Sequence, residues 1–141
     1  MSRAANLETL AKFAEAVNTG KFEIFNEAVS IDNVDHDPAR GQVRGPEGYR
    51  VFFKALRDAF PDLTVALETL VADEESVAFA YTLTGTQSGS YMGFAPTGRR
   101  MKIRGMQISK FKDGKMVERW GSSDELGLLQ QLGLLETPTA V

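Results

Sequence analysis

Apolar residues in the first part of the chain recur at helical spacing. Intervals of three or four residues separate a first set: Leu7, Leu10, Ala11, Ala14 and Val17. This spacing is typical of an amphipathic helix. The helix is expected to end at Gly20, because glycine suits the left-handed position that follows a helix. A second, short helix is predicted over residues 22–29.

A third helix is predicted after Gly45. Pro46 suits the first helical position, and Glu47 suits the positive end of the helix dipole. An apolar stripe at helical spacing follows: Tyr49, Phe52, Phe53, Leu56 and Phe60. Pro61 then ends the helix. Before it, residues 31–38 are polar and extended, and residues 38–45 form a loop.

The pattern changes to alternation beyond Pro61, which predicts strands. The predicted strands begin near residue 63 and cover 77–86, 99–111 and 115–122, with a turn at 73–75 and a loop at 87–98. Asp113-Gly114 is a two-residue hairpin turn, whose residues both need positive φ. A short helix over 126–132 ends the pattern. Helices followed by four strands in an antiparallel meander indicate an α+β fold, with helices on one face of a curved sheet.

The length and net charge of the chain predict a single, mildly acidic domain. The 141 residues suit a single domain over 1–141, with frayed tails at about 1–5 and 136–141. The net charge is −3 and no basic block is present, so we expect no nucleic-acid binding. No apolar run could span a bilayer, and the first residues lack a secretory signal. We therefore expect no membrane contact and a cytoplasmic location.

The chemistry open to the chain is also restricted. It has no cysteine, so it has neither disulfides nor cysteine nucleophiles. Its single histidine, His36, cannot form a multi-histidine metal site. We expect no metal and no cofactor.

Several short segments resemble the SnoaL-like polyketide cyclases, also called ester cyclases, of the nuclear transport factor 2-like superfamily. They follow the family order over nearly the whole chain: VDHDP at 34–38, GPEGY at 45–49, AFPD at 59–62, TGT at 84–86, Gly93 with APTG at 95–98, FKDGK at 111–115, ERW at 118–120, Asp124, and QLG at 131–133. Each segment is weak evidence alone, and the ordered set is fairly specific.

The resemblance implies a cone with a deep apolar pocket between helices and sheet. It also implies intramolecular aldol ring closure without metal or cofactor, with Asp124 as acid/base. Gln87 stands where the family often has histidine, and Ala80 where it often has arginine. Epoxide opening, isomerisation, dehydration and non-catalytic binding of a small molecule therefore remain alternatives.

Asp124 has two interpretations from its neighbours. Strand alternation would place it on one face with Glu118 and Trp120, and an aromatic, poorly hydrated neighbour raises a carboxyl pKa. Such a group is a better base near neutral pH. Alternatively, Asp124 caps the final helix, because Asp is a preferred N-cap residue.

His36 is the second catalytic candidate, since its ordinary pKa is near neutrality. It could relay a proton or orient a carbonyl, or it could be a solvated loop residue. Gln107 interrupts an apolar strand, so its amide either holds a substrate carbonyl or faces outward. Gln87 has the same two interpretations.

The remaining candidates are aromatic. Tyr49, Phe53 and Tyr91 are predicted to line the pocket, although aromatic stripes usually belong to the core. Trp120 is predicted beside the acid/base, and the ligand is expected to be a small apolar molecule. Apolar positions on both faces of the later strands predict a homodimer or larger homo-oligomer.

Overall fold

The computed structural model describes residues 2–136. Helix α1 spans Arg3–Thr19, after Ser2 accepts a hydrogen bond from the Ala5 amide. Residues 3–5, predicted as part of a frayed tail, are therefore helical. Helix α1 ends at Gly20 with φ 75°, as predicted. Of the other predicted tail, residues 137–141 lie outside the described residues.

Three further helices follow the apolar stripes. A 3₁₀ turn over Phe22–Ile24 leads into α2, Phe25–Ala28. Helix α3 covers Pro46–Ala59 and carries proline in its first turn, as predicted. Helix α4 covers Glu125–Gln131. In residues 2–136, no helix is long and apolar enough to cross a membrane.

Five strands form one sheet in the order β1-β5-β4-β3-β2. The strands are β1 Val29–Asp35, β2 Thr64–Ala72, β3 Ser76–Thr86, β4 Arg100–Lys112 and β5 Lys115–Ser123. Strands β2 to β5 form the predicted antiparallel meander. The turn between β4 and β5 has φ 52° at Asp113 and 81° at Gly114, which confirms the hairpin.

Strand β1 corrects the predicted number of strands. The segment read as polar and extended pairs in parallel with β5, and Asp35 lies opposite Arg119. An edge strand leaves polar side chains in solvent, so it shows no apolar alternation. This pairing brings the polar segment from the first half of the chain against the last strand.

The sheet has an inner face, covered by the helices, and an outer face. Residues of β4 alternate strictly between buried and exposed. Ile103, Gln107 and Ser109 point inward, whereas Met106 and Ile108 are exposed on the outer face. Phe13 of α1 contacts the rings of Phe25, Tyr49 and Phe53, so aromatic packing fixes the helices over the inner face.

Candidate active site

A cavity of about 620 Å³ lies between the helices and the inner face. Most of its wall is apolar, and the apolar residues come from α1, α3 and the strands: Leu7, Leu10, Phe13, Val17, Phe52, Phe53, Leu56, Val65, Leu70, Phe79, Leu83, Ile103 and Leu128. Its polar side chains come mainly from β1, β4, β5 and the start of α4. Cavities of this size and composition bind small organic ligands.

Asp35 and Arg119 form a buried ion pair in this wall. Arg119 Nη1 lies 3.1 Å from both Asp35 Oδ1 and Oδ2. Tyr49 donates its hydroxyl hydrogen to Asp35 Oδ2 at 3.0 Å, and Gln42 Nε2 donates to the same oxygen at 3.3 Å. The Asp37 amide donates to Oδ1 at 2.9 Å. Asp35 is therefore fully hydrogen-bonded and serves to orient Arg119.

Gln107 fixes the other side of the same guanidinium. Arg119 Nε donates to Gln107 Oε1 at 2.8 Å, and Gln107 Nε2 donates to Ser109 Oγ at 2.9 Å. Arg119 also lines the cavity. Its Nη2 group makes no hydrogen bond to any of residues 2–136. The inward placement of Gln107 favours the pocket interpretation over the outward one.

The three tyrosines line the cavity as neutral phenols. Burial, followed by the charge of Asp35, raises the pKa of the Tyr49 hydroxyl. Burial also raises the pKa of Tyr81 and Tyr91, and the nearby charge of Glu125 raises both further. These hydroxyl groups therefore keep their protons at neutral pH and can donate hydrogen bonds. Tyr49, Tyr91 and Phe53 lie in the cavity wall, and their role in substrate binding stays a prediction.

Asp124 caps α4. Its Oδ1 accepts a hydrogen bond from the Gly127 amide at 2.9 Å, and the side chain is exposed. The expectation of a poorly hydrated position beside Trp120 is wrong, because β5 ends at Ser123 and strand alternation stops there. The neighbouring Glu125 lines the cavity rim. The catalytic role of Asp124 stays a prediction.

His36 and Trp120 lie on the outer face, away from the cavity. Their rings stack with centroids 4.4 Å apart, and His36 Nε2 lies 2.9 Å from Glu118 Oε2. Lys110 Nζ lies 5.8 Å from the centre of the Trp120 ring. Trp120 packs opposite Ile108 of β4. The structure therefore does not bring these two predicted site residues to the cavity polar groups.

Gln87 is fully buried and organises the loop over residues 88–98. Its Nε2 donates to the carbonyls of Gly89 and Ala95, and its Oε1 accepts from the amide and hydroxyl of Thr97. Tyr91, on the same loop, packs edge-on against Phe60 with centroids 5.5 Å apart. Gln87 thus positions a cavity-lining loop and does not itself line the cavity.

Sequence reasoning missed Arg119, Asp35, Tyr81 and Glu125 as cavity residues. A signal for Tyr81 and Arg119 was available in Gly105 and Gly121, because glycine inside a strand often marks a close approach. Gly105 lies beneath Tyr81, and a Cβ atom at position 105 would lie 2.2 Å from its hydroxyl oxygen. Within residues 2–136, no three His, Asp or Glu side chains are grouped so that they could hold a metal ion.

Comparison with solved structures confirms the nuclear transport factor 2-like fold. TsrD from Streptomyces laurentii superposes with a TM-score of 0.87 and 27% identity, covering 96% of this chain and 99% of that chain. IdmH from Streptomyces antibioticus, a proposed polyketide cyclase, gives a TM-score of 0.80 with 32% identity, covering 91% of this chain and 98% of that chain.

The amino-acid sequence matches a curated protein and a family model. Mitochondrial oxaloacetate decarboxylase from Dictyostelium discoideum is 33% identical over 116 residues, which are 82% of this chain and 48% of that protein. The chain thus spans about half the length of this relative. A model of the SnoaL-like polyketide cyclase family matches residues 8–132. This chain, with its helix-covered sheet and apolar cavity, belongs to the SnoaL-like polyketide cyclase family.

Proposed function

We propose that this chain is a cofactor-independent cyclase, which closes a ring in an apolar, polyketide-like carbonyl compound by intramolecular aldol-type chemistry. The observation that carries the proposal is the cavity of about 620 Å³, apolar on most sides and polar on one wall. Family membership supports the same substrate class. Such a cavity folds a flexible substrate so that two of its carbons meet, and well-oriented intramolecular reactions gain about 7–11 kcal/mol.

The base that this reaction needs is a carboxylate at the junction of β5 and α4. Family resemblance points to Asp124, and cavity lining points to Glu125. Protonation of Asp124 would weaken its hydrogen bond from the Gly127 amide, which the charged carboxylate accepts more strongly. Glu125 lies close enough to Tyr81 and Tyr91 to raise their pKa values. One of these two neighbouring groups removes the proton.

Ring closure by matched variants tests this proposal. D124N and E125Q each keep the shape of the side chain while they remove its basicity. D113N, in the hairpin turn of β4 and β5, is the control. Aryl-substituted 1,5-diketones and keto-esters serve as substrates, and mass spectrometry with chromatography detects the cyclic product. We expect one of the two variants to lose about 10²- to 10⁴-fold in rate, as is typical for general-base removal.

Folding and product identity complete the test. Circular dichroism must show both variants as folded as D113N, so that a lost rate reports chemistry. Wild-type rates in both variants would contradict a base at this junction. Cyclic products from an epoxide panel, with none from diketones, would instead indicate epoxide opening.

A binding module without turnover is the second candidate. The capping role of Asp124 favours it, because its exposed carboxylate is engaged with the Gly127 amide and does not line the cavity. This candidate predicts saturable binding of the diketones with no product at any pH between 5 and 9. Product formation by the wild-type protein would exclude it.

We also propose that a second copy of the chain covers the outer face. Val71, Met106 and Ile108 are exposed there. Val71, Ala78, Ile108 and Trp120 form one row that crosses four strands, and Met106 lies beside this row. Contiguous exposed apolar surface of this kind marks an association site.

A further inference from the structure

We propose that Tyr81 and Arg119 together bind the carbonyl oxygen of the ligand and stabilise the oxyanion that forms on it. This inference rests on the proposed function, because it names the groups that would hold the enolate. Both residues line the cavity, and neither is assigned by the sequence resemblance. In residues 2–136, Arg119 Nη2 and the Tyr81 hydroxyl both lack a hydrogen-bond acceptor.

Hydrogen bonds hold the guanidinium of Arg119 through Nε and Nη1, and within residues 2–136 its Nη2 edge has no acceptor. Nε donates to Gln107, and Nη1 donates to both carboxylate oxygens of Asp35. A Cβ atom at Gly121 would lie 2.3 Å from Nη2, so the guanidinium lies across the backbone of β5. Three hydrogen bonds fix the plane of the guanidinium, and the Nη2 donors remain for a ligand. A donor that is already oriented needs no reorganisation when charge develops.

The ring of Tyr81, a residue of β3, lies across the backbone of β4 at Gly105. A Cβ atom at Gly105 would lie 2.2 Å from both the hydroxyl oxygen and the Cζ atom of Tyr81. Any other residue at position 105 would therefore displace the ring. Glycine inside a strand costs backbone entropy, so its presence at both positions is consistent with a need for these close approaches.

The strand register brings the two glycines close together. Gly105 lies opposite Ser123, and Gly121 lies opposite Gln107. The glycines are therefore diagonal neighbours on the inner face of β4 and β5, where side chains lie within reach of each other. Burial raises the pKa of the Tyr81 hydroxyl, and the Arg119 charge lowers it by a smaller amount. Tyr81 thus remains protonated within the field of the Arg119 charge.

The chemistry follows from this pair of donors. The base takes a proton from the carbon next to the carbonyl, and the electron pair of the broken C–H bond forms a C=C bond. The C=O π electrons move to oxygen, which then carries negative charge. Tyr81 and Arg119 donate hydrogen bonds to that oxygen, and these bonds strengthen as the charge grows.

The pair favours a neutral carbonyl oxygen over a carboxylate. Asp35 already compensates the charge of Arg119 at 3.1 Å. Asp37 and Glu125 also line the cavity, so a second full negative charge would meet repulsion. A ligand with a ketone oxygen gains the two hydrogen bonds without that repulsion.

Three naphthalene probes test the site without a known substrate. They are 2-acetonaphthone, which carries a ketone, 2-ethylnaphthalene, which has nearly the same shape without oxygen, and 2-naphthoate, which is charged. Titration calorimetry gives affinities, and infrared spectroscopy gives the C=O stretch of bound 2-acetonaphthone. The wild-type protein is expected to bind the ketone roughly 10-fold more tightly than the hydrocarbon, since a net hydrogen bond contributes about 1 kcal/mol. It should also bind 2-naphthoate more weakly than the ketone and shift the C=O stretch to lower frequency.

Conservative variants locate the effect. Y81F removes the hydroxyl and keeps the ring, and R119K keeps a charge beside Asp35 and removes Nη2. Both should bind 2-ethylnaphthalene as the wild type does, while the ketone preference falls to about 3-fold or less and the infrared shift shrinks. T82V, which removes a hydroxyl on the outer face of the same strand, should behave as the wild type.

Each outcome decides the inference separately from the cyclase proposal. Equal binding of ketone and hydrocarbon by the wild type, or no binding of either, would overturn it. So would an unchanged ketone preference in both Y81F and R119K. A ketone preference lost in these variants, in a protein that closes no ring, would support the oxyanion site and refute the cyclase. Ring closure by a protein that shows no ketone preference would support the cyclase and refute the oxyanion site.

Discussion

Two side-chain pairs join the end of β1 to β5, and they lie on opposite faces of the same sheet. Asp35 with Arg119 faces the cavity, and their side chains are 6% and 17% exposed. His36 with Glu118 lies on the outer face, where the side chains are 39% and 38% exposed. The members are adjacent in sequence, so strand alternation alone separates a buried network from a solvated pair.

The two pairs differ in the residues that surround them. The inner pair is connected to Tyr49, Gln42 and Gln107 by hydrogen bonds. The outer pair is accompanied by an aromatic stack with Trp120 and by exposed apolar residues. We infer that the inner face recognises a small molecule, whereas the outer face suits association with another protein surface.

The largest expected effect comes from breaking the inner pair. D35N leaves Arg119 as an uncompensated buried charge, and we expect the free energy of unfolding to fall by about 3–5 kcal/mol. H36A, on the adjacent residue, breaks the outer pair and should cost less than about 1 kcal/mol, because exposed pairs are screened. Urea denaturation of the two variants measures both. Equal losses would show that the faces are energetically alike.

A smaller effect is expected at the glycine beneath Arg119. In G121A the added Cβ would lie 2.3 Å from Nη2 of a guanidinium held by three hydrogen bonds. We expect a loss of about 1–3 kcal/mol in the free energy of unfolding, as for other overpacked sites. S122A, one residue further on the outer side, should change stability by under about 0.5 kcal/mol. Thermal unfolding compares the two, and a G121A variant as stable as S122A would show that the guanidinium can move freely.

The smallest effect on folding is expected on the outer face, where the change should appear in assembly. M106K places a charge beside the exposed apolar row, so it should shift a wild-type dimer toward monomer and leave monomer stability nearly unchanged. E75Q, at the turn between β2 and β3, changes the net charge by the same amount and is the control. Sedimentation velocity at micromolar concentration measures the shift. A wild-type protein that is already monomeric would contradict the proposed association.

The fold was largely predictable from local patterns. The apolar stripe after Pro46, the alternation beyond Pro61 and the Asp113-Gly114 turn each depend on neighbours in sequence. Strand β1 was not predictable in this way, because its partner β5 lies some 85 residues later and its side chains are polar. The parallel pairing therefore shows only in the folded chain.

The site was predictable only in part for the same reason. Tyr49 and Phe53 lie in the cavity wall because helical periodicity assigns them to the covered side of α3, whereas Tyr91 reaches it from a loop. Arg119 looked like an ordinary charged strand residue, because its partner Asp35 comes from the other half of the chain. Asp124 was misplaced by extending β5 one residue too far, and Trp120 was misplaced because its face of β5 is the outer one.

One measurement tests the division between the faces most directly. All three tyrosines of the chain line the cavity, and its single tryptophan, Trp120, lies on the outer face. NMR spectra of protein labelled in the tyrosine rings and the indole N–H can therefore follow both faces during titration with 2-acetonaphthone. We predict that the ring signals of Tyr81 and Tyr49 shift while the Trp120 indole signal stays in place. A shifting indole signal with unmoved tyrosine signals would contradict the account.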